Sequence, residues 1–213
     1  MPPQTPNPAP LFPMFLKLAG RPCLVVGAGR VAEPKIQSLA DCGAVVRVVA
    51  PEATSVIAEL AVRGTIDWKR RRFDASDLEG IFLVVAGTGS GEVNAAIHVE
   101  AQRRGILCNA VDDPANCDFF YPAVVRRGHF QIAISTGGLS PALAQRVRKQ
   151  LEEDFPAGYG DWVEQLGRTR SALFREVSES ELRRGLIHES ASAEAFARFE
   201  RDQARTEPGK EIS

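Results

Sequence analysis

The residues best suited to chemistry stand near the start of the chain, where glycines follow directly on an apolar run. Residues 23–26 (CLVV) lead into residues 27–32 (GAGRVA). A strand that feeds a glycine-rich turn and then a helix presents backbone N–H groups and the positive end of the helix dipole to a phosphate. Gly27 suits the tight turn, Gly29 leaves room for a dinucleotide pyrophosphate, and Ala32 lets the helix pack on the strand. The cofactor-binding residues predicted in this turn are Gly27, Gly29, Arg30 and Val31.

The next apolar run supplies the residues expected at the adenosine end of such a cofactor. Val45–Val49 is a β-branched run typical of a strand, and Pro51 and Glu52 follow it closely. In dinucleotide-binding folds an acidic residue roughly 20 positions after the glycines binds the ribose hydroxyls, and Glu52 is the best match. No arginine follows this strand immediately, so NAD is favoured over NADP. We expect Pro51 and Glu52 to line the adenosine side; the alternative for Glu52 is an exposed carboxylate before the next helix.

Strand and helix patterns alternate along the first half of the chain. The predicted helices cover 30–42, 54–63 and 92–104, and further strands are predicted over 65–69, 81–86 and 106–111. This repetition predicts an α/β fold, a doubly wound parallel sheet of the Rossmann type with ligands at the carboxyl ends of its strands. Beyond residue 114 the pattern changes to a hairpin over 119–125 and 130–135, a helix over 140–153 that Ser140 caps, and helical segments over 161–176 and 180–201.

These patterns divide the chain into five predicted parts. They are a disordered leader over 1–10, an NAD-binding Rossmann domain over 11–113, a dimerisation and substrate segment over 114–150, a helical C-terminal region over 151–205 and a disordered tail over 206–213. A homodimer is expected, because the segment after Asp113 is too small to bury its apolar residues alone. Those residues are Phe119, Phe120, Tyr121, Val124 and Val125.

Composition argues against several other classes of protein. The net charge of −1 favours no nucleic-acid partner, and the basic run at 69–72 is too short to change that. No apolar run approaches the ~20 residues that span a bilayer, and the start lacks the features of a signal peptide. The four cysteines form no CxxC pair, and no His, Cys and carboxylate spacing predicts a resident metal site. We therefore expect a cytoplasmic protein with reduced thiols.

Four sequence blocks resemble the N-terminal module of the siroheme synthase family, the precorrin-2 dehydrogenase and sirohydrochlorin ferrochelatase group. The blocks are 27–32 with Lys35, 108–113 (CNAVDD), 117–119 with Pro122 and Ala123, and 132–144 (IAISTGGLSPALA). The resemblance covers about residues 11–174. The C-terminal methyltransferase domain of the fused relatives is absent, so the chain resembles the stand-alone form. The loop 87–90 departs from the relatives, which usually carry acidic residues after the threonine. We still expect Thr88 to contact the cofactor.

The resemblance implies a specific chemistry. Precorrin-2, a reduced tetrapyrrole with many carboxylates, is oxidised to sirohydrochlorin with transfer of a hydride to NAD⁺ and release of a proton. Some members then insert Fe²⁺, and the sequence leaves open whether this one does. Asp112 matches the family's catalytic aspartate. Asp113 is expected on the opposite face, because successive strand residues alternate; the alternative for Asp112 is a turn carboxylate before Pro114. The nearest cations for the substrate are Arg126, Arg127, Arg146, Arg148 and Lys149.

Two other functions stay open from the sequence. The first is a non-catalytic NAD-sensing module, since this fold also occurs in regulatory ligand-binding domains. Such a module would bind the cofactor without turnover and would not need Asp112. The second is a dehydrogenase of another small metabolite, which would normally need a His, Tyr or Lys acid/base in the cleft. Only three histidines and two tyrosines are present. Neither alternative explains the sequence blocks after Asn109.

Overall fold

The computed structural model of the protein describes residues 10–206. The chain forms two compact units, divided between Tyr121 and Pro122. The predicted leader lies outside the described residues except for Pro10. The predicted tail also lies outside them, apart from Thr206 at the end of the last helix. None of the helices within residues 10–206 is both long enough and apolar enough to cross a membrane.

The first unit is built on a five-stranded parallel sheet. Its strands are β1 (Pro22–Val26), β2 (Val45–Val49), β3 (Asp67–Lys69), β4 (Leu83–Ala86) and β5 (Leu107–Ala110). The order across the sheet is β3-β2-β1-β4-β5, and every neighbouring pair is parallel. The chain therefore winds outward from β1 in one direction and then in the other, which confirms the predicted doubly wound fold and opens a crevice beyond β1 and β4.

Helices cover both faces of this sheet. They are α1 (Glu33–Asp41), α2 (Ser55–Val62) and α3 (Gly91–Arg104). On one face Ile36 of α1 and Ile57 of α2 pack with Val25, and on the other Ile97 of α3 packs with Leu24. All five of these side chains are fully buried. Strands buried on both sides read as continuous apolar runs, and this is why they could be predicted.

Helix α1 begins later than predicted. Residues 30–32 form a turn in which the Ala32 N–H donates to the Gly29 carbonyl at 2.9 Å, and the helix starts at Glu33. Pro34 falls in its first turn, as predicted, where a missing N–H costs no intrahelical bond. Gly43, just beyond the helix, has φ +75°, which confirms its predicted role at the helix end.

The second unit contains an antiparallel hairpin and four helices. The strands are β6 (Ala123–Arg127) and β7 (Phe130–Ile134), and the helices are α4 (Pro141–Asp154), α5 (Tyr159–Glu176), α6 (Ser180–Ser190) and α7 (Ala193–Thr206). The first hairpin strand starts later than predicted, because Phe119 instead packs against the core of the first unit. The helix predicted over 180–201 is broken, since the Ser192 hydroxyl accepts the Ala195 N–H and starts α7.

Aromatic rings form the core of the second unit. Tyr159 of α5 lies 4.3 Å from Phe196 of α7 and 5.2 Å from Phe130 of β7, measured between ring centroids. Trp162 and Phe199 are buried beside them. Tilted and edge-on ring pairs at these separations are favourable, so this cluster holds α5, α7 and the hairpin together.

Candidate active site

The loops that could hold a cofactor meet at one edge of the sheet, the carboxyl ends of its strands. Backbone bonds continue the ladder one residue beyond β1, β4 and β5. The Gly27 N–H donates to Val49 O at 2.9 Å, the Gly87 N–H to Val26 O at 2.8 Å, and the Val111 N–H to Ala86 O at 2.9 Å. Four of the loops at this edge are 27–30, 50–52, 87–90 and 111–113, which follow β1, β2, β4 and β5.

Gly27 is required by the fold itself. Its φ is +103°, and a Cβ at this position would lie 2.3 Å from the Gly87 carbonyl oxygen. Both the left-handed backbone and the closeness of the two loops therefore demand glycine. Gly27 sets the approach of the β1 loop to the β4 loop.

We expect Gly27→Ala to destabilise the protein by about 2–5 kcal/mol, the sum of a left-handed backbone cost and a steric clash. The check is the free energy of unfolding in denaturant. Gly29→Ala is the matched control and should unfold like the wild type, because a Cβ there meets no protein atom within 4 Å. Equal stabilities of the two variants would contradict this assignment.

Gly29 has the opposite character to Gly27. Nothing in the described part of the chain lies within 4 Å of a Cβ built on it, and its φ is not in the left-handed region. The fold therefore does not explain a glycine here. The space lies beside the start of α1, which no side chain caps. Open space at an uncapped helix N-terminus is what a pyrophosphate needs, so the turn fits the dinucleotide. Arg30 and Val31 next to it are exposed.

Residues 50–52, which follow β2 and are called the adenosine turn because the adenosine end of the cofactor is predicted there, are tied to the glycine turn. The Thr54 N–H donates to the Ala28 carbonyl at 3.1 Å, and the Thr54 hydroxyl caps α2 by accepting the Ile57 N–H. Pro51 and Glu52, between these anchors, are exposed. Their exposure is compatible with ribose binding, and also with the alternative of a surface carboxylate.

The loop after β4 is organised by Asn94, which the sequence analysis did not single out. Its side chain is buried in α3. The Asn94 Oδ1 accepts from the Thr88 N–H at 3.1 Å and from the Thr88 hydroxyl at 2.7 Å, and its Nδ2 donates to Thr88 O at 3.2 Å. Thr88, predicted as a cofactor contact, thus has its side chain engaged in shaping the loop. A polar residue on the apolar face of a helix was the only available signal in the sequence.

Asp112 differs from the other polar residues of this edge in its backbone conformation. It is exposed, and among residues 10–206 it is the only residue other than glycine with a positive φ, +61°. No described residue forms a hydrogen bond or ion pair with its carboxylate. The left-handed region costs an L-residue energy, although Asp tolerates it better than most. A residue held in this conformation at a ligand edge is a candidate for function.

Asp113 takes the turn role that was the alternative for Asp112. Its carboxylate accepts the Asn116 Nδ2–H at 2.6 Å, within a short 3₁₀ helix over Pro114–Asn116. The sequence predicts that Asp112 and Asp113 point to opposite faces because they are neighbours in a strand. That reason is wrong, because β5 ends at Ala110. Both residues belong to the turn that follows the strand.

Residues 117–119, which follow the turn that contains Asp112, are hydrogen-bonded to β5. The Asn109 side chain donates to Phe119 O at 2.8 Å, and the Cys117 thiol to Ala110 O at 3.1 Å. The Asp118 carboxylate accepts the Cys108 N–H at 2.8 Å. Burial raises the pKa of the Cys108 thiol to about 12, so this sulfur stays protonated and serves packing rather than nucleophilic chemistry.

The cations predicted for the substrate differ in their availability. Arg127 donates to Phe155 O at 2.9 Å and to Glu152 O at 3.2 Å, so it fastens the hairpin to the end of α4. Arg148 pairs with Glu152. The exposed candidates are Arg126, Arg146 and Lys149. In the described part of the chain no three His, Cys, Asp or Glu residues cluster in a way that could hold a metal ion.

Comparisons with known proteins identify two family segments. Residues 14–123 match the family described as "Putative NAD(P)-binding", and residues 127–153 match "Sirohaem biosynthesis protein central". Among curated proteins, siroheme synthase of Methylococcus capsulatus is 42% identical over 173 residues, covering 81% of this chain and 36% of that protein. Siroheme synthase 1 of Serratia proteamaculans is 34% identical over 212 residues, covering 94% of this chain and 44% of that protein.

A solved structure agrees with these matches. SirC, a precorrin-2 dehydrogenase, superimposes with a TM-score of 0.76 at 27% identity, covering 90% of this chain and 98% of that one. The chain spans less than half the length of the siroheme synthases above. The predicted Rossmann fold, the NAD cofactor and the resemblance to siroheme synthases are confirmed. The chain belongs to the NAD(P)-binding family and continues into the central segment of the sirohaem biosynthesis proteins.

Proposed function

We propose that the chain is a precorrin-2 dehydrogenase, which oxidises precorrin-2 to sirohydrochlorin with NAD⁺ in siroheme biosynthesis. The observation that carries the proposal is one edge of the sheet that holds both an uncapped glycine turn and, after β5, an exposed carboxylate in a left-handed backbone. The substrate is taken from the names of the relatives: siroheme synthases and the precorrin-2 dehydrogenase SirC.

The residues at this edge suit a bound dinucleotide. Gly29 leaves space for the pyrophosphate, with the Arg30 and Val31 backbone at the start of the helix beside it. Glu52, exposed after β2, would accept hydrogen bonds from the ribose hydroxyls. When bound, NAD⁺ supplies the acceptor for the hydride. Asn94 holds the β4 loop through Thr88, so hydrogen bonds of the protein itself fix the shape of this loop.

Asp112 is the proposed general base. Oxidation of precorrin-2 releases a proton along with the hydride, and a carboxylate that follows β5 lies on the side of the sheet where folds of this type bind ligands, which supports the proposal. Insertion of Fe²⁺ as a second substrate would need removal of two pyrrole N–H protons. We propose that the same carboxylate would serve that step.

An anaerobic assay with precorrin-2 and NAD⁺ tests the proposed function. We expect sirohydrochlorin, followed by its absorbance, only when NAD⁺ is present; Fe²⁺ is then added to look for siroheme. A regulatory NAD sensor would bind NAD⁺ and leave precorrin-2 unchanged. Binding of NAD⁺ without any oxidation of precorrin-2 would therefore overturn the proposal.

We also propose that the enzyme is a cytoplasmic homodimer that pairs through the predicted segment 114–150. The thiols of all four cysteines are free, as in a reducing compartment. Leu139, beyond β7, is 86% exposed, and Leu143 is 42% exposed. A second copy of the chain would cover these apolar side chains.

Light scattering at micromolar concentration should give twice the chain mass of 23.1 kDa. Leu139→Asp should shift the mass toward that of one chain, because it places a charge in the proposed interface. Leu182→Asp, at a position of α6 that is 52% exposed, is the matched control and should leave the mass unchanged. A single-chain mass for the wild type would contradict the dimer.

A further inference from the structure

The basic run at 69–72 lies beside the adenosine turn, although the two are separated in sequence. Strand β3 pairs with β2 in parallel, with Lys69 opposite Val49. Beyond that pair the Ala50 N–H donates to Lys69 O at 3.2 Å, and the Trp68 Nε1–H donates to Ala50 O at 3.0 Å. Arg70 therefore leaves the sheet next to the turn that carries Pro51 and Glu52.

Two of the cations in this run form ion pairs with aspartates. The Lys69 ammonium pairs with Asp67 at 2.9 Å. Arg71 forms a bidentate pair with the buried Asp77, at 2.7 and 2.5 Å, and these hydrogen bonds hold the pKa of the Asp77 carboxyl below its ordinary value. The pair stays ionised at neutral pH and fixes the course of the chain after β3.

Arg70 is different. Its guanidinium lies over the Trp68 ring, 5.7 Å from the centroid, and its side chain is exposed. No described carboxylate lies within ion-pair distance of it. Trp68 is itself anchored to the adenosine turn, so the indole supports a cation at this position. An exposed arginine at the adenosine end of a dinucleotide site has the planar donors that bind a phosphate.

We propose that Arg70 is a specificity-determining residue that binds the 2′-phosphate of NADP, so that the site accepts NADP as well as NAD. In this fold an arginine near the ribose accommodates that phosphate. No arginine follows β2 in the sequence, but the parallel pairing of β3 with β2 brings Arg70 to the same side of the sheet. Glu52 opposes a 2′-phosphate, but it is exposed and can rotate toward solvent. NADP should therefore bind more weakly than NAD. This inference rests on the cofactor site of the proposed function.

The test is a pair of titrations, with NAD⁺ and with NADP⁺, on the full chain and on variants. Arg70→Gln keeps a planar group over Trp68 and removes the charge. We expect its Kd for NADP⁺ to rise about tenfold, as for loss of a charged hydrogen-bond partner, while its Kd for NAD⁺ stays within about twofold. Arg70→Lys should restore part of the loss. Arg63→Gln makes the same charge change at the opposite edge of the sheet, where α2 ends, and should change neither Kd.

A second readout separates phosphate binding from a merely structural role. Raising the ionic strength should lower the affinity of the wild type for NADP⁺ relative to NAD⁺, and this dependence should be weaker in Arg70→Gln. The inference is overturned if the wild type binds NAD⁺ but not NADP⁺, or if Arg70→Gln leaves the NADP⁺ affinity unchanged. Failure to bind either nucleotide would overturn the cofactor site itself, and with it the proposed function.

Discussion

Replacing Gly29 with aspartate is expected to abolish NAD⁺ binding and leave the fold intact. A side chain at this position meets no protein atom within 4 Å, and the backbone is not left-handed, so the folded chain can accommodate it. The new carboxylate would fill the space beside the start of α1 and repel the pyrophosphate. Gly29→Ala, with a methyl group and no charge, should weaken binding less.

Calorimetric titration with NAD⁺ measures the effect, and thermal unfolding checks the fold. The matched control is Gly185→Asp, the same substitution at an open, exposed position of α6, which should bind NAD⁺ like the wild type. A Gly29→Asp variant that titrates with NAD⁺ like the wild type would mean that the pyrophosphate site lies elsewhere.

Replacing Asp112 with asparagine is expected to lower the rate of precorrin-2 oxidation roughly 10²–10⁴-fold, the usual contribution of a positioned general base. Asparagine tolerates the left-handed backbone of this residue, whereas alanine would add a conformational cost of about 1–2 kcal/mol. Asp112→Asn therefore isolates the chemistry from the fold. NAD⁺ binding should persist, and any insertion of Fe²⁺ should fall in the same variant.

Asp113→Asn is the matched control for this experiment. Its carboxylate accepts the Asn116 Nδ2–H, and an asparagine oxygen can accept the same hydrogen bond, so the variant should stay within about 1 kcal/mol of the wild-type stability and keep its turnover. Loss of turnover in Asp113→Asn with full activity in Asp112→Asn would reverse the two roles. Full activity in both would leave neither aspartate as the base.

The sequence predicts best those strands, helix ends and turns whose residue types alone specify the local structure. Strands β1 and β4 are buried on both faces and read as apolar runs, and the helix ends carry recognisable residues such as Thr54 and Gly43. The glycine turn between Val26 and α1 could also be located, because its neighbours on both sides suit the motif. The fold class follows from these local signals.

Features that depend on distant contacts could not be read in this way. Arg70 reaches the adenosine turn only through the pairing of β3 with β2, and Asn94 shapes the loop after β4 through a buried amide. The left-handed Asp112 stands in the turn between the end of β5 and Cys117, whose thiol donates to Ala110 O. Each of these depends on tertiary structure, which outweighs any preference of the local sequence.

The stoichiometry of anaerobic turnover tests the central claim most directly. The wild type is incubated with precorrin-2 and excess NAD⁺, and NADH and sirohydrochlorin are measured in the same sample. We expect one NADH for each sirohydrochlorin formed, and neither product from the Gly29→Asp variant. Sirohydrochlorin formed by the wild type without matching NADH, or equally fast by Gly29→Asp, would contradict NAD-dependent oxidation at this edge of the sheet.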